Sequence, residues 1–342
     1  MQQQSLIKRF QKWVAVAIAF CAFLYIGWSI WVGYEKINTE LNNFQWSMLF
    51  WGILLTLTNY SLRFVKWRYY LKRLGVSMPL SIDIWNFTAG LSMAISPGKA
   101  GELLKPYVVR EVTGVPMVKT LPALITERLT DGIAMLILAG IGVMTYAADR
   151  VGYIVIPAIG VMIGLLVLAS PKASSWSLQI LKPLPILGKI IPKIEEMMVS
   201  MRTCVAPIAL LWTVFLSMIA WGAECLAFKL IVDGTGADAP LDASVFIYAF
   251  ATIAGSVMPG GLGVSDGALA IGAQEIMMVS ESQALTAMML TRLATLWLGV
   301  ALGALALMRL SRLLELNISE KPEGDSTEGP EEIDIDKKTG EV

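Results

Sequence analysis

Histidine is absent from all 342 residues, which removes the commonest metal ligand and the commonest general base. A zinc hydrolase or a histidine-based acyl transferase lacks its usual parts, and any proton chemistry falls to carboxylates. Cysteine is scarce: Cys21, Cys204 and Cys225 lie inside apolar runs, with no CxxC pair and an odd total. That pattern argues against a disulfide framework and for small buried hydrophobes. Charge is scarce too, at 16% of residues. No metal, cofactor, catalytic residue or nucleic-acid partner is expected.

Apolar residues make up 56% of the chain, more than one soluble core could bury, so the bilayer is the solvent. A net charge of zero conceals an asymmetry: Leu313 to Val342 holds ten acids and three bases, and the preceding 312 residues hold 17 acids against 24 bases. From Ile318 the chain is acidic and nearly free of aromatics, which predicts disorder and no catalytic domain there.

Six runs are long enough for a crossing of about 20 residues. They are Trp13 to Tyr34, Trp46 to Leu62, about Thr120 to Ala148, Val151 to Ser170, Thr203 to about Val232, and Ser282 to Met308. The first follows Lys8, Arg9 and Lys12 and has aromatics at both ends, so it reads as a retained span. Two further apolar stretches, about Leu80 to Val109 and Ala243 to Val279, are each broken near the middle by Pro97-Gly98 or Pro259-Gly260. Such breaks free backbone groups that cannot face lipid and must line protein or a wet cavity.

The distribution of basic residues distinguishes crossing from turning back. If both broken stretches re-enter, one side receives Lys8, Arg9 and Lys12, the Arg63 to Arg73 segment, the Lys172 to Arg202 loop, and Arg309 with Arg312. The other receives Asp233, Asp238 and Asp242. Full crossing puts the basic loop outside and the acidic one inside. The expected fold is therefore all-α and polytopic, with about six transmembrane helices and two re-entrant broken helices related as inverted repeats. The expected units are a cytoplasmic N-terminus (1–12), a first membrane repeat (13–148), a connecting span and basic loop (149–202), a second repeat (203–312) and an acidic cytoplasmic tail (313–342). Within the connecting loop, Ile186 to Met201 reads as an amphipathic helix suited to anionic headgroups.

SPGKAGE at Ser96 to Glu102 and MPGGLGVSD at Met258 to Asp266 share PGxxG followed by an acid. The break residues are Pro97, Gly98 and Gly101 in the first and Pro259, Gly260, Gly261 and Gly263 in the second. Arg128 lies 27 residues beyond Gly101 and Arg292 lies 29 beyond Gly263. Lys99, Glu102 and Lys105 recur every three residues, so a helix there presents them on one face near a free N-terminus, a site for phosphate or carboxylate. The alternative is a solvated cytoplasmic loop. Arg128 sits beside Glu127 and three before Asp131, where it can serve an anion or satisfy itself locally. Arg292 has no acid within its span and requires a partner, with Asp266 or Glu102 as protein candidates and an anionic headgroup as ligand candidate; snorkelling is the alternative. Asp266 can equally cap the second half-helix. Glu224 is an ionisable residue near the outer end of its span, with Lys229 five residues on. Arg63, Lys66 and Arg68, among Trp67, Tyr69 and Tyr70, read as an interfacial anchor.

Gly90, the run Ser96 to Lys105, Glu127-Arg128-Leu129 with Asp131, and Pro259-Gly260-Gly261-Leu262-Gly263 together resemble the lysylphosphatidylglycerol synthase transmembrane region, also called the flippase-like domain family. The resemblance covers about residues 10 to 312. It implies moving or accommodating polar lipids, as in the flippase half of bifunctional aminoacyl-phosphatidylglycerol synthases and in relatives that handle hopanoids or polyprenyl-linked glycolipids. The soluble synthase domain is not in this sequence, so lipid aminoacylation is not inherited. Lys105 stands where many relatives carry Arg, which keeps the charge but gives up bidentate phosphate recognition.

The expectation is thus a bacterial or archaeal inner-membrane flippase for an anionic lipid, with both termini cytoplasmic. Lys99, Lys105, Arg128 and Arg292 would hold the anion and Glu102 and Asp266 would gate it or couple protons, with Asp131 also among the substrate-binding residues. Its partners would be membrane lipids, with a second copy and a separate lipid-modifying enzyme as further candidates. A small-anion transporter or channel uses the same breaks without a lateral opening, and a transferase on lipid-linked substrates is the third reading.

Overall fold

The computed structural model describes residues 34–96, 101–148, 151–181 and 191–319. The expected first span with Cys21, the expectations for Pro97, Gly98 and Lys99, the start of the amphipathic helix, and the tail beyond residue 319 lie outside the described residues. The chain is an all-α polytopic membrane protein. Among the described residues five helices are long and apolar enough to cross a membrane, and they coincide with the five remaining runs.

In chain order, α1 is Tyr34–Asn43, α2 Trp46–Arg73, α3 Leu80–Ser92, α4 Leu104–Thr113, α5 Met117–Tyr146, α6 Gly152–Ala169 and α7 Pro171–Leu181. Then follow α8 Ile191–Cys204, α9 Pro207–Gly234, α10 Leu241–Ala254, α11 Val264–Ile276, α12 Glu281–Arg292 and α13 Leu298–Ser319. A π-helical turn, Leu293–Trp297, joins α12 to α13 as one long span.

Local chemistry sets several ends. Pro207 opens α9 in the first turn, where its missing N–H costs nothing. Ser280 caps α12 reciprocally with Gln283, each accepting the other's backbone N–H. Gly114, at φ +74°, ends α4 in the left-handed conformation. The span α2 runs on past Leu62 to Arg73 because Arg63, Lys66, Trp67 and Tyr70 fall at i, i+3, i+4 and i+7 on one buried face. Those four residues are not an interfacial anchor, as their neighbourhood had implied. Lys66, Trp67 and Tyr70 are fully enclosed, and in the sequence they only border an apolar run.

Hydrogen bonds sort the loops onto two faces. On one face, Gln45 N donates to Gly234 O at 2.9 Å, Tyr146 Oη to Asp242 Oδ2 at 2.7 Å, and Gln283 Nε2 to Thr235 O at 3.0 Å. On the other, Arg73 Nε donates to Thr203 O at 3.0 Å, Arg68 Nη1 to Asp83 Oδ2 at 3.2 Å, and Arg202 Nε to Leu168 O at 2.9 Å. The hairpin α3–α4 therefore starts beside the end of α2 and returns to the start of α5 on the same face. The hairpin α10–α11 starts beside the end of α5 and returns to the start of α12 on the opposite face. Both broken helices re-enter, and they do so from opposite sides.

Each hairpin organises its own half of the core. Trp67, Tyr70, Leu104, Val108, Leu124, Leu307 and Leu310 pack around α3–α4. Phe44, Met135, Phe228, Ile231, Phe246, Leu269 and Met288 pack around α10–α11. The outer surface is apolar, with Ile208 82% and Ile156 72% exposed, as lipid contact requires. Outside the spans, burial pushes the Cys204 thiol up to about 12, which leaves it inert. The helix α8 covers the end of the stretch read as amphipathic and packs on α5.

Candidate functional site

Glycine sets the path of the chain beside both breaks. After α3 a short 3-10 turn, Met93–Ile95, leads to Ser96, whose Oγ accepts Gly101 N–H at 2.9 Å. A Cβ on Gly101 would lie 2.8 Å from Met93 Cβ, so no larger residue fits the return. At the second tip Gly260, Gly261 and Gly263 have φ of +60°, +72° and +79°. The tips touch: a Cβ on Gly260 would lie 3.2 Å from Ile95 Cγ2. The turn that enters the first break thus meets the second tip between the two halves of the core.

Beside the first tip lies a buried network of charges from α2, α4 and α5. Glu127 is fully enclosed and receives Lys105 Nζ at 2.6 Å, Arg128 Nη2 at 3.1 Å and Arg63 Nη2 at 3.4 Å. Asp131 pairs with Lys66, whose Nζ also reaches Ser217 Oγ at 2.7 Å and Thr130 Oγ1 at 3.2 Å. Glu102 lies 2.9 Å from Arg128 Nε. Lys105 Nζ further sits 4.5 Å above the Trp67 ring and 5.0 Å from the Phe87 ring, a cation–π cradle. Gly90 makes room for its stem, since a Cβ there would be 3.0 Å from Lys105 Cγ.

Beside the second tip the arrangement is simpler. Arg292 Nε pairs with Asp266 Oδ1, and Arg292 Nη2 approaches Gly261 O at 3.4 Å. Asp266 Oδ2 accepts Gly263 N–H at 2.8 Å. Asp266 therefore caps the half-helix α11 and neutralises Arg292 at once. Arg292 does not snorkel, being 8% exposed.

Between these clusters lies an open cavity of about 160 Å³. Arg63, Lys105, Arg128 and Glu102 line it from the first half and Glu224, Tyr248, Arg292 and Gly261 from the second. The Arg128 side chain is 31% exposed, the most accessible of the cations in this network. Trp221 Nε1 is buried without a hydrogen-bond partner among the described residues, on the same cavity wall. Tyr248 donates to Glu224 Oε2 at 2.6 Å.

Of the residues singled out from sequence, Glu102, Lys105, Arg128, Asp131, Asp266 and Arg292 all converge here. Glu102 and Lys105 do not act as one helical face: Glu102 sits in a turn that precedes α4 and serves Arg128, whereas Lys105 serves Glu127. Arg63, Lys66, Tyr60, Trp221 and Tyr248 were missed as site residues. Glu224 does not meet Lys229, which pairs with Asp233 at 2.6 Å. Among the described residues no cluster of three or more His, Cys, Asp or Glu could hold a metal.

A family model described as the lysylphosphatidylglycerol synthase TM region matches residues 12–303. No curated protein and no solved structure matches the chain.

Proposed function

The chain belongs to the family of the lysylphosphatidylglycerol synthase TM region, and from that premise we propose that it is a transporter, not an enzyme, which moves a polar anionic lipid between the leaflets of the inner membrane. The lipid is of phospholipid or isoprenoid-phosphate type. The observation that carries this reading is that Arg128, from the first hairpin's half, and Arg292, from the second's, line one cavity where the two tips meet.

A cavity of 160 Å³ holds about five waters at ~30 Å³ each, enough for a phosphate group but not for acyl chains. The chains stay in lipid while the headgroup crosses. Arg128 and Arg292 receive its phosphate as paired cationic forks, and the Trp221 indole N–H supplies a further donor. Glu102 and Asp266 hold the two arginines when the cavity is empty. The face bearing Arg73, Lys172 and Arg202 is assigned to the cytoplasm by its charge. Because the hairpins enter from opposite sides, rocking about their tips opens the cavity to each leaflet in turn.

Translocation of a fluorescent phosphatidylglycerol in proteoliposomes tests this, with Arg128→Gln and the charge-neutral pair Arg292→Gln with Asp266→Asn. Each folded variant should move the lipid at least tenfold more slowly. Rates equal to wild type would remove both arginines from the mechanism. Rapid flux of free inorganic phosphate without lipid movement would favour a small-anion transporter.

A further inference from the structure

Among the described residues, ten charged side chains line the cavity or belong to the ion-pair networks behind its wall: Arg63, Lys66, Lys105, Arg128 and Arg292, against Glu102, Glu127, Asp131, Asp266 and Glu224. Four of the five carboxylates sit against a lysine or arginine. Glu102 has Arg128, Glu127 has Lys105, Asp131 has Lys66, and Asp266 has Arg292. The hydrogen bond described for Glu224 comes from the Tyr248 hydroxyl, a neutral donor.

Glu224 is 4% exposed, on the cavity wall opposite the first cluster. Every helix that packs on α9 presents a titratable or charged group toward it. From α2 come Tyr60 and Arg63, from α5 Asp131, from α10 Tyr248 and from α12 Arg292, and Cys225 adjoins it on its own helix. Lys66 is held farther along α9 by Ser217, and Lys229 is taken by Asp233. Glu224 thus shares the field of Arg63 and Arg292 without being bonded to either.

An anionic headgroup entering the cavity needs that same field. Two unpaired negative charges in a low-dielectric chamber repel strongly. With Glu224 ionised, the five cations and five carboxylates of the described residues cancel. With Glu224 neutral, the network carries one net positive charge, which a single phosphodiester would balance.

We propose that Glu224 is a proton-binding site linked to the headgroup site, so that each anionic headgroup enters together with one proton on the Glu224 carboxylate. The proposal rests on the reading of the cavity as an anion site. The proton comes from water in the cavity and returns to water when the headgroup leaves, so no co-reactant is consumed. Tyr248 remains the donor to whichever oxygen is unprotonated. Linkage makes the effect mutual: the headgroup favours the protonated carboxyl by the same factor as protonation favours the headgroup.

Isothermal titration calorimetry tests this on the full chain in nonionic detergent. The ligand is dihexanoyl phosphatidylglycerol, measured in two buffers of different ionisation enthalpy, and dihexanoyl phosphatidylcholine is the zwitterionic control. Wild type should take up about one proton per phosphatidylglycerol bound, and its affinity should fall by up to about tenfold per pH unit once Glu224 is ionised in the empty protein. Glu224→Gln, which still accepts from Tyr248, should bind with no proton uptake and a flat pH profile. Glu224→Asp should restore the uptake. Binding by wild type without uptake, or equal uptake by Glu224→Gln, overturns the proton link and leaves the anion site standing. Failure of both forms to bind phosphatidylglycerol overturns the anion site and the proton link with it.

Discussion

Lys66 carries more of the buried network than any other cation, reaching Asp131, Thr130, Ser217 and the Glu127 carbonyl at once. Lys66→Met strands Asp131 in a dry interior, and losing one partner of such a pair costs about 3–5 kcal/mol. The low end is expected, because Arg63 and Arg128 remain 3.7 and 3.6 Å from Asp131. Thermal unfolding in detergent should show a clearly lowered midpoint, partly restored by adding Asp131→Asn; an unchanged midpoint would refute the role. At Arg128 the sign reverses for ligand binding. Glu102→Gln removes the carboxylate that competes with a headgroup for Arg128, and a pair exposed only on its arginine side and worth ~1 kcal/mol predicts about fivefold tighter phosphatidylglycerol binding. The need of Arg292 for a partner was legible, because the run Ser282 to Met308 holds no acid, and Asp266 was among its named candidates. Lys66 and Arg63 were not read correctly, although their spacing with Trp67 and Tyr70 already describes one helix face. Aromatic and basic residues at the end of an apolar run have the composition of a membrane interface, and composition hides the period. The Tyr248 partner of Glu224 lies on another helix, and no spacing rule connects the two.

At the level of helices, α3 and α13 cross in close backbone contact. A Cβ on Gly303 would lie 2.4 Å from Ser92 N and 2.9 Å from Thr88 O, both backbone atoms that cannot move alone. Small residues let helices pack this closely in lipid, where contact replaces the hydrophobic effect. Gly303→Leu should therefore push α3, and the tip it carries, away from α13, at a cost of about 1–3 kcal/mol for overpacking. The midpoint of detergent denaturation and the transport rate should fall together, and a variant with native values of both would show that the crossing tolerates separation. The five described spans and the two breaks were readable from run length and from proline–glycine pairs. The extent of α2 was not, since its last turns are polar in sequence and buried only by helices distant along the chain, α3, α4, α5 and α9 among them. The π-helical turn after Arg292 left no mark in the sequence, because residues 293–297 read as ordinary helix formers.

For the molecule as a whole, the two faces defined by interhelical hydrogen bonds fix which loops share a compartment. In a background with Cys21, Cys204 and Cys225 replaced by alanine, Ser77→Cys and Lys119→Cys flank the first hairpin, and Asp238→Cys and Ser280→Cys flank the second. A membrane-impermeant maleimide should label the first pair from one side only and the second pair from the other. Labelling of Ser77→Cys and Lys119→Cys from opposite sides would mean that the first hairpin crosses. That both hairpins turn back was legible from the basic loops, whereas the contact of their tips was not, because two glycine turns carry no address for each other. The cancellation of five cations by five carboxylates acts at this scale as well. A membrane voltage does about 2.3 kcal/mol of work per elementary charge per 100 mV, and the ten charges of the described residues, which sum to zero, offer it nothing to act on. The return of the empty protein from one leaflet to the other is then electrically silent, so a change of membrane potential leaves that step's rate unaltered.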